Sequence, residues 1–395
     1  MDLPGGLGVP DVIDLCTTAG LLPLAIWAYL LLARGRFWRP DTLPAPGPGV
    51  CARVVAVVPA RNEAEHIAQA VGSLLTQRWD GQVHVIVVDD GSTDGTAEVA
   101  RRAAAAAGAE DRLTVISGEA LPQGWSGKLW ARSQGVRAAQ RLEPQYLLFT
   151  DADIEHAEDS VSALVAQAER QRRDLVSVMV RLSSVTWAER CLIPAFVFFF
   201  FKLYPPAWIA ERGRRTAGAA GGCILIRPAA LARAGGLEAI RGAIIDDCAL
   251  AARVKQSGGS LWLGLSSTTR SLRVYGSFGE IGAMISRTAF NQLRHSWWLL
   301  GASLAGLALT YVTPPLLVAS AAPLCMGLGA AAWLLMTIAY LPLVRFYGLP
   351  YGYALLLPAV AIFYAGATLH SAVRYACGRG GQWKGRAQDV RAGGR

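Results

Sequence analysis

Charge is scarce in this chain. Asp, Glu, Lys and Arg make up 17% of 395 residues, 53% are apolar, and mean hydropathy is +0.32. Soluble globular domains carry about 25% charged residues. An ordinary soluble enzyme is therefore a poor fit, yet the sequence is too polar to consist of membrane spans alone. Organised cysteine is missing too. Cys16, Cys51, Cys191, Cys223, Cys248, Cys325 and Cys377 are scattered and no Cys-x-x-Cys occurs. That argues against a disulfide or metal framework and suits small buried residues in a reduced compartment. No Gly-x-Gly-x-x-Gly follows the first strand pattern, and no Walker Lys-Ser/Thr pattern appears, which argues against dinucleotide dehydrogenases and P-loop enzymes. Basic residues are not interleaved with aromatics. The net charge of +9 therefore points to anionic lipid and positive-inside topology, and no nucleic-acid partner is expected. Internal repeats are absent as well.

What is present is a set of long uncharged runs toward both ends, with alternating strand and helix patterns between them. Leu15 to Ala33 carries no charge and is long enough for one span. Asp2, Asp11 and Asp14 precede it and Arg34, Arg36 and Arg39 follow. Positive-inside bias then puts the next domain in the cytoplasm. The expected organisation is an anchor over 1–34, a Pro/Gly-rich linker over 35–52, an α/β domain over 53–295, transmembrane helices over 296–373 and a basic tail over 374–395. Ser296 to Val344 holds no charged residue and is broken by Pro314-Pro315 and Pro323, so it reads as two spans, and Phe346 to Val373 as a third. Three C-terminal spans after one N-terminal span place the tail (Arg374, Arg379, Lys384, Arg386, Arg391, Arg395) outside, whereas its charge argues for inside. Within the α/β domain, residues 187–210 contain an apolar run, Cys191 to Phe201, that is too short to span. It reads as an interfacial or core helix, with Trp187 and Trp208 favouring the interface.

The α/β pattern is clear to the eye. Arg53 to Pro59 and Val83 to Asp89 are buried-strand runs, Glu63 to Thr76 and Gly95 to Ala107 have helical character, and Lys128 to Gln140 leads into Tyr146 to Thr150. Repeated βαβ spacing implies a largely parallel sheet with helices on both faces. Chemistry-bearing residues collect where strands end, the usual ligand position in such sheets. Pro59-Ala60-Arg61-Asn62-Glu63 ends the first strand, where Asn62 and Glu63 either cap the next helix or face a ligand. Asp89-Asp90-Gly91-Ser92-Thr93-Asp94 ends the second. Asp89 and Asp90 can accept hydrogen bonds from a nucleobase and a ribose, while Asp94 suits a helix cap. Gly124-Trp125-Ser126-Gly127-Lys128 offers a backbone approach and a cation, or simply a surface loop. Asp151-Ala152-Asp153 can hold a hard divalent cation and, through it, phosphate oxygens, or serve as turn acids. Gly218 to Gly222 is a flexible loop, and Asp246-Asp247 open a helix where a carboxylate can also act as general base.

Taken in order, these motifs resemble the family 2 glycosyltransferases of GT-A fold over residues 53–295. The Gly-Trp-x-Gly-Lys-x-Trp-Ala element and the flanking membrane segments resemble the membrane-bound hopene-associated glycosyltransferases of bacteria and, more distantly, the ceramide glucosyltransferases. The resemblance implies a nucleotide-diphosphate sugar donor contacted by Pro59, Asn62, Glu63, Asp89, Asp90, Lys128, Asp151 and Asp153. It implies Mg2+ or Mn2+ on Asp151 and Asp153, chiefly Asp153. Asp247 becomes the base, matching the second acid of a Glu-Asp-x-x-Leu pattern with Leu250 in register, and Asp246 stands where Glu is usual. The Gln-x-x-Arg-Trp motif of processive synthases is replaced by Arg287 to His295. There Arg287, Gln292 and Arg294, with Gly221 and Gly222 of the loop, are candidate diphosphate or acceptor contacts. The expectation is an inverting, metal-dependent transferase acting on a membrane lipid, with a hopanoid as candidate acceptor. Its place would be the bacterial inner membrane, multi-pass, with the catalytic domain facing the cytoplasm. A polysaccharide synthase using the same donor and a non-catalytic nucleotide-sugar-binding scaffold are the alternatives.

Overall fold

The computed structural model describes residues 9–46, 51–378, 382–383 and 386–387. The chain divides into two compact units. Asp2, part of the linker, and Arg379, Lys384, Arg391 and Arg395 of the basic tail lie outside the described residues, and of Asp11, Asp14 and Arg386 the backbone alone is described.

The first unit, Pro40–Val185 with Tyr204–Tyr275 and the chain from Cys377 on, is built on one eight-stranded sheet. Its strands are β1 (Arg53–Ala60), β2 (Gln82–Asp89), β3 (Leu113–Ser117), β4 (Tyr146–Thr150), β5 (Ile154–His156), β6 (Leu175–Arg181), β7 (Cys223–Ile226) and β8 (Leu261–Ser271). They lie in the order β3-β2-β1-β4-β7-β6-β8-β5. Neighbours β3, β2, β1 and β4 run parallel, as do β6 and β8, while β7 runs antiparallel to β4 and β6, and β5 antiparallel to β8. The β-branched runs of β1 and β2 are buried on both faces, Val54 to Val58 completely, as expected for central parallel strands.

Register decides where the strands end. Ala60 pairs with Asp89 and Asp89 with Ser117, so the carboxyl ends of β1, β2 and β3 finish level. The helix Gly127–Ala139 lies close against this sheet, because a Cβ on Gly135 would stand 2.4 Å from Val57 Cγ1. That contact sets the height of the helix whose first turn carries Lys128. The helix expected from Glu63 begins later, at Ile67. Asn62 sits in the left-handed region at φ 51°, and the backbone amides of Glu63 and Ala64 are taken by the side chains of Thr96 and Asp94 instead of by a cap.

The second unit comprises Met1–Arg39, Thr186–Leu203 and Gly276–Ala376 and is helical. Three of its helical segments, Trp297–Val318, Pro323–Phe346 and Tyr351–Ala376, are long and apolar enough to cross a membrane. The N-terminal helix Val9–Leu32 has a shorter apolar stretch over Thr18–Leu32. It packs closely, since a Cβ on Gly20 would come within 2.7 Å of Leu328. Buried Trp27 donates from Nε1 to the Thr310 carbonyl at 2.8 Å. The phenylalanine-rich run lies on helix Trp187–Leu203, where Phe198 is fully buried and meets Phe37 and Tyr340 edge to face. Residues 187–203 thus belong to the helical unit and 204–210 to the sheet unit, the break falling at Tyr204-Pro205-Pro206, where proline ends the helix. Residues 276–295, with Arg287, Gln292 and Arg294, also cluster with the helices.

Candidate active site

The first two strand-end motifs are stitched together by short side chains. Asn62 N donates to Ser92 Oγ, Thr93 N donates to Asn62 Oδ1, and Glu63 N donates to Thr96 Oγ1. The Asp94 carboxylate accepts from Ala64 N at 3.0 Å and from Thr96 N at 3.1 Å, so Asp94 fixes the start of helix Thr96–Ala106. Asp89 accepts from Ser92 N at 3.0 Å, closing its own turn. Asp90 is buried, and Arg61 reaches both its carbonyl and, at 3.7 Å, its carboxylate. Gly118, at the end of β3, leaves room beside it: a Cβ there would stand 3.1 Å from the Asp90 Cα.

Asp151-Ala152-Asp153 forms the tight turn from β4 to β5, with Ile154 N donating to the Asp151 carbonyl. Both carboxylates meet cations. Lys128 Nζ stands 2.6 Å from Asp151 Oδ1, and Arg132 Nη2 is 3.6 Å from the same oxygen. Arg132, one helical turn after Lys128, is 1% exposed, lies over the Phe149 ring, and extends Nη1 to Asp246 Oδ2 at 2.9 Å. Asp153 Oδ2 accepts from Arg273 Nε at 3.0 Å, and Arg273 Nη2 is 3.7 Å from Glu63 Oε1. Among the described residues no group of three or more His, Cys, Asp or Glu side chains could hold a metal ion. The donor set is nonetheless suited to a hard cation: Mg2+ is usually held by one or two carboxylates, such as those of Asp151 and Asp153, completed by phosphate oxygens of a ligand and by water.

The Gly loop is pinned from below. Ser177 Oγ accepts from Ala220 N at 2.8 Å, and Thr150 Oγ1 donates to the Gly222 carbonyl at 3.0 Å. His156 backs Thr150 at 3.0 Å, and burial pushes its imidazole down to about 3, so it is neutral. The loop in turn crowds Asp247, for a Cβ on Gly221 would lie 3.1 Å from Asp247 Oδ2. Asp246 and Asp247 open helix Asp246–Gln256, and their environments drive them apart. Burial works to raise Asp246, but the charges of Lys128 and Arg132 outweigh it and hold the carboxyl below its ordinary value. Burial, then the neighbouring Asp246 charge, pushes Asp247 up to about 6. Two adjacent carboxyls with opposite shifts are an arrangement that enzymes use to keep one charged and one able to exchange a proton near neutrality.

The sheet unit thus brings together Lys128, Asp151 and Asp246 through one arginine, sets Asp247 and Gly221 beside them, and joins Asp153 to Glu63 through another arginine. Arg287, Gln292 and Arg294 belong to the other unit. Two members of this constellation, Arg132 and Arg273, were not anticipated. The i,i+4 spacing from Lys128 on a helix face was the available signal for Arg132, whereas Arg273 meets Asp153 across 120 residues with nothing local to mark it.

The model of the glycosyl transferase family 2 matches residues 55–234. The chain is 36% identical over 124 residues to a 4,4'-diaponeurosporenoate glycosyltransferase of Staphylococcus aureus (strain USA300), covering 31% of this chain and 30% of that protein. It is 32% identical over 127 residues to the enzyme so named from Staphylococcus haemolyticus (strain JCSC1435), covering 32% and 31%. The matches therefore span about a third of these relatives' length. Among solved structures, a mannosyltransferase from Pyrobaculum calidifontis, in complex with GDP-Man and Mn2+, aligns over 90% of this chain and 99% of that one, with TM-score 0.55 and 20% identity. That likeness shows the GT-A fold.

Proposed function

Because residues 55–234 are a family 2 glycosyltransferase domain, we propose that the chain is an inverting transferase moving a sugar from a nucleotide-diphosphate donor to a membrane lipid, with a hopanoid as the candidate acceptor. The observation that carries this reading is the chain of ion pairs across the sheet's carboxyl end: Lys128 to Asp151, Asp151 to Arg132, Arg132 to Asp246, with Asp247 alongside. Asp89 and Asp90 would take the nucleoside, at the level ends of β1 to β3. Asp151 and Asp153 would hold Mg2+ or Mn2+, which when bound supplies positive charge against the leaving diphosphate. Lys128, 18% exposed, adds a cation that can reach phosphate oxygens as charge develops there. Asp247 accepts the proton of an acceptor hydroxyl. That oxygen bonds to the anomeric carbon as the carbon–oxygen bond to the diphosphate breaks, and the nucleoside diphosphate departs. A carboxyl raised to about 6 is ionised at neutral pH and still basic enough to help.

A lipid acceptor is supported by the three candidate spans carried on the same chain and by the lipid-related substrate in the names of the relatives. The proposed setting is the bacterial inner membrane, multi-pass, with the sheet unit on the cytoplasmic side. Purified chain in detergent, given a panel of nucleotide sugars and bacterial membrane lipids, tests the reading by mass spectrometry. A lipid carrying one added sugar is expected. A ladder of lengths would mark a polysaccharide synthase instead, and no transfer with any pair would refute a lipid glycosyltransferase.

A further inference from the structure

We propose that Arg273 is a displaceable counter-ion for Asp153, so that a divalent cation and a nucleoside diphosphate bind this site cooperatively instead of independently. The inference rests on the reading of Asp153 as a metal ligand given above. Its basis is that both carboxylates of the Asp-x-Asp turn are already neutralised by the chain's own cations. Asp151 has Lys128 at 2.6 Å, and Asp153 has Arg273 at 3.0 Å. A metal ion arriving alone must compete with these cations for the same oxygens.

The two pairs differ in how easily they open. Lys128 is 18% exposed and Arg132 is buried behind it, whereas the Arg273 side chain is 38% exposed. The backbone on either side of the Arg273 contact is fixed. The β5–β8 ladder ends at Ile154 and Ser271, and Leu272 N continues it by donating to the Asp153 carbonyl at 2.8 Å. Only the long arginine stem needs to turn for Asp153 to be released. Glu63, 3.7 Å from Nη2, keeps the guanidinium within the site when it does. A diphosphate offers that guanidinium a bidentate partner, better matched than one carboxylate oxygen. Nucleotide binding would thus draw Arg273 off Asp153 and free the carboxylate for the cation. By linkage the cation must strengthen nucleotide binding by the same factor. Arg273 touches no reacting atom in this scheme and acts as a positioning residue.

Full-length protein in detergent micelles is titrated with Mn2+, followed by loss of the free-ion electron paramagnetic resonance signal. The titration is done first with Mn2+ alone and then with UDP and, in parallel, GDP. In the native chain, one of the nucleotides is expected to tighten Mn2+ binding clearly. Arg273→Met removes the competitor, so Mn2+ alone is expected to bind about 2- to 5-fold more tightly, the upper part of the range for a partly exposed ion pair, and the nucleotide effect should shrink toward none. Arg273→Lys, which keeps the charge, should stay near the native value, and Arg273→Gln repeats the neutral substitution should the methionine variant fold poorly. Asp153→Asn separates the two levels of the argument. If it abolishes Mn2+ binding while Arg273→Met and Arg273→Gln bind as the native chain does, the counter-ion role is wrong and the metal reading stands. If Mn2+ binding survives Asp153→Asn unchanged, the metal reading fails and the counter-ion role falls with it.

Discussion

Replacing Asp247 by Asn should weaken catalysis and strengthen the fold at the same time, in a pH-dependent way. The substitution keeps shape and keeps an oxygen for the Cys248 amide, which donates to Asp247 Oδ1 at 2.7 Å, but removes the charge proposed to accept the proton. Loss of a general base lowers kcat by about 10²–10⁴. The stability effect follows from Asp247 lying at about 6 in the fold, against an ordinary 3.8, a difference worth about 3 kcal/mol. The folded-state value is raised, so protonated Asp247 favours the fold. That stability is fully present below about pH 4, declines as pH rises toward 6, and is gone above it. Asp247→Asn does not titrate. It should match the native chain near pH 4 and exceed it by up to about 3 kcal/mol at pH 7.5, less any share that Asp246 takes as the paired acid. Chemical denaturation of both proteins at pH 4.5, 6 and 7.5, with transfer rates on the same preparations, measures both halves. The native acid limb of kcat should fall with an apparent value near 6. Near-native transfer by Asp247→Asn, or a stability difference that does not change across this pH range, would refute the assignment.

Arg132→Met should cost about 3–5 kcal/mol, because it leaves the Asp246 carboxylate partly buried without its 2.9 Å partner. The double variant with Asp246→Asn should recover most of that loss in thermal melting, and additive losses would contradict the pairing. Gly221→Ala adds a Cβ 3.1 Å from Asp247 Oδ2 and is expected to lower kcat about 10-fold with little change in donor KM, since small displacements of a reacting group are costly; unchanged kcat would show that the loop does not position the acid. Chelation by EDTA should stop transfer and added Mn2+ or Mg2+ restore it, whereas Asp153→Asn should stay inactive at every concentration of either ion.

The sequence announces the first half of the sheet plainly, because β1, β2 and β4 are continuous apolar runs between helices of recognisable period, and parallel central strands are buried on both faces. The later strands are less legible. β7 is four residues long and antiparallel, and β5 is three residues that leave the Asp-x-Asp turn to pair with β8 at the far edge. Neither pairing leaves a local signature. The candidate acids stand out in the sequence because each ends a strand or opens a helix. Their partners do not, since Arg132 meets Asp246 across 114 residues and Arg273 meets Asp153 across 120. Charge pairing of that range is decided by how the sheet folds back on itself, not by spacing. In the helical unit the reverse holds: uncharged length alone marked the three helices long and apolar enough to cross a membrane, while the burial of Phe198 against Phe37 and Tyr340 depends on packing that hydropathy does not encode.

Lipid mass spectrometry of bacteria with the gene intact, deleted, and restored as either the native chain or Asp247→Asn tests the proposed transfer of a sugar to a membrane lipid. A lipid glycosyltransferase gives one lipid class, heavier than its precursor by a single sugar, that vanishes on deletion, returns with the native chain and does not return with the variant. An unchanged lipid profile on deletion, or full restoration by Asp247→Asn, would contradict the proposal.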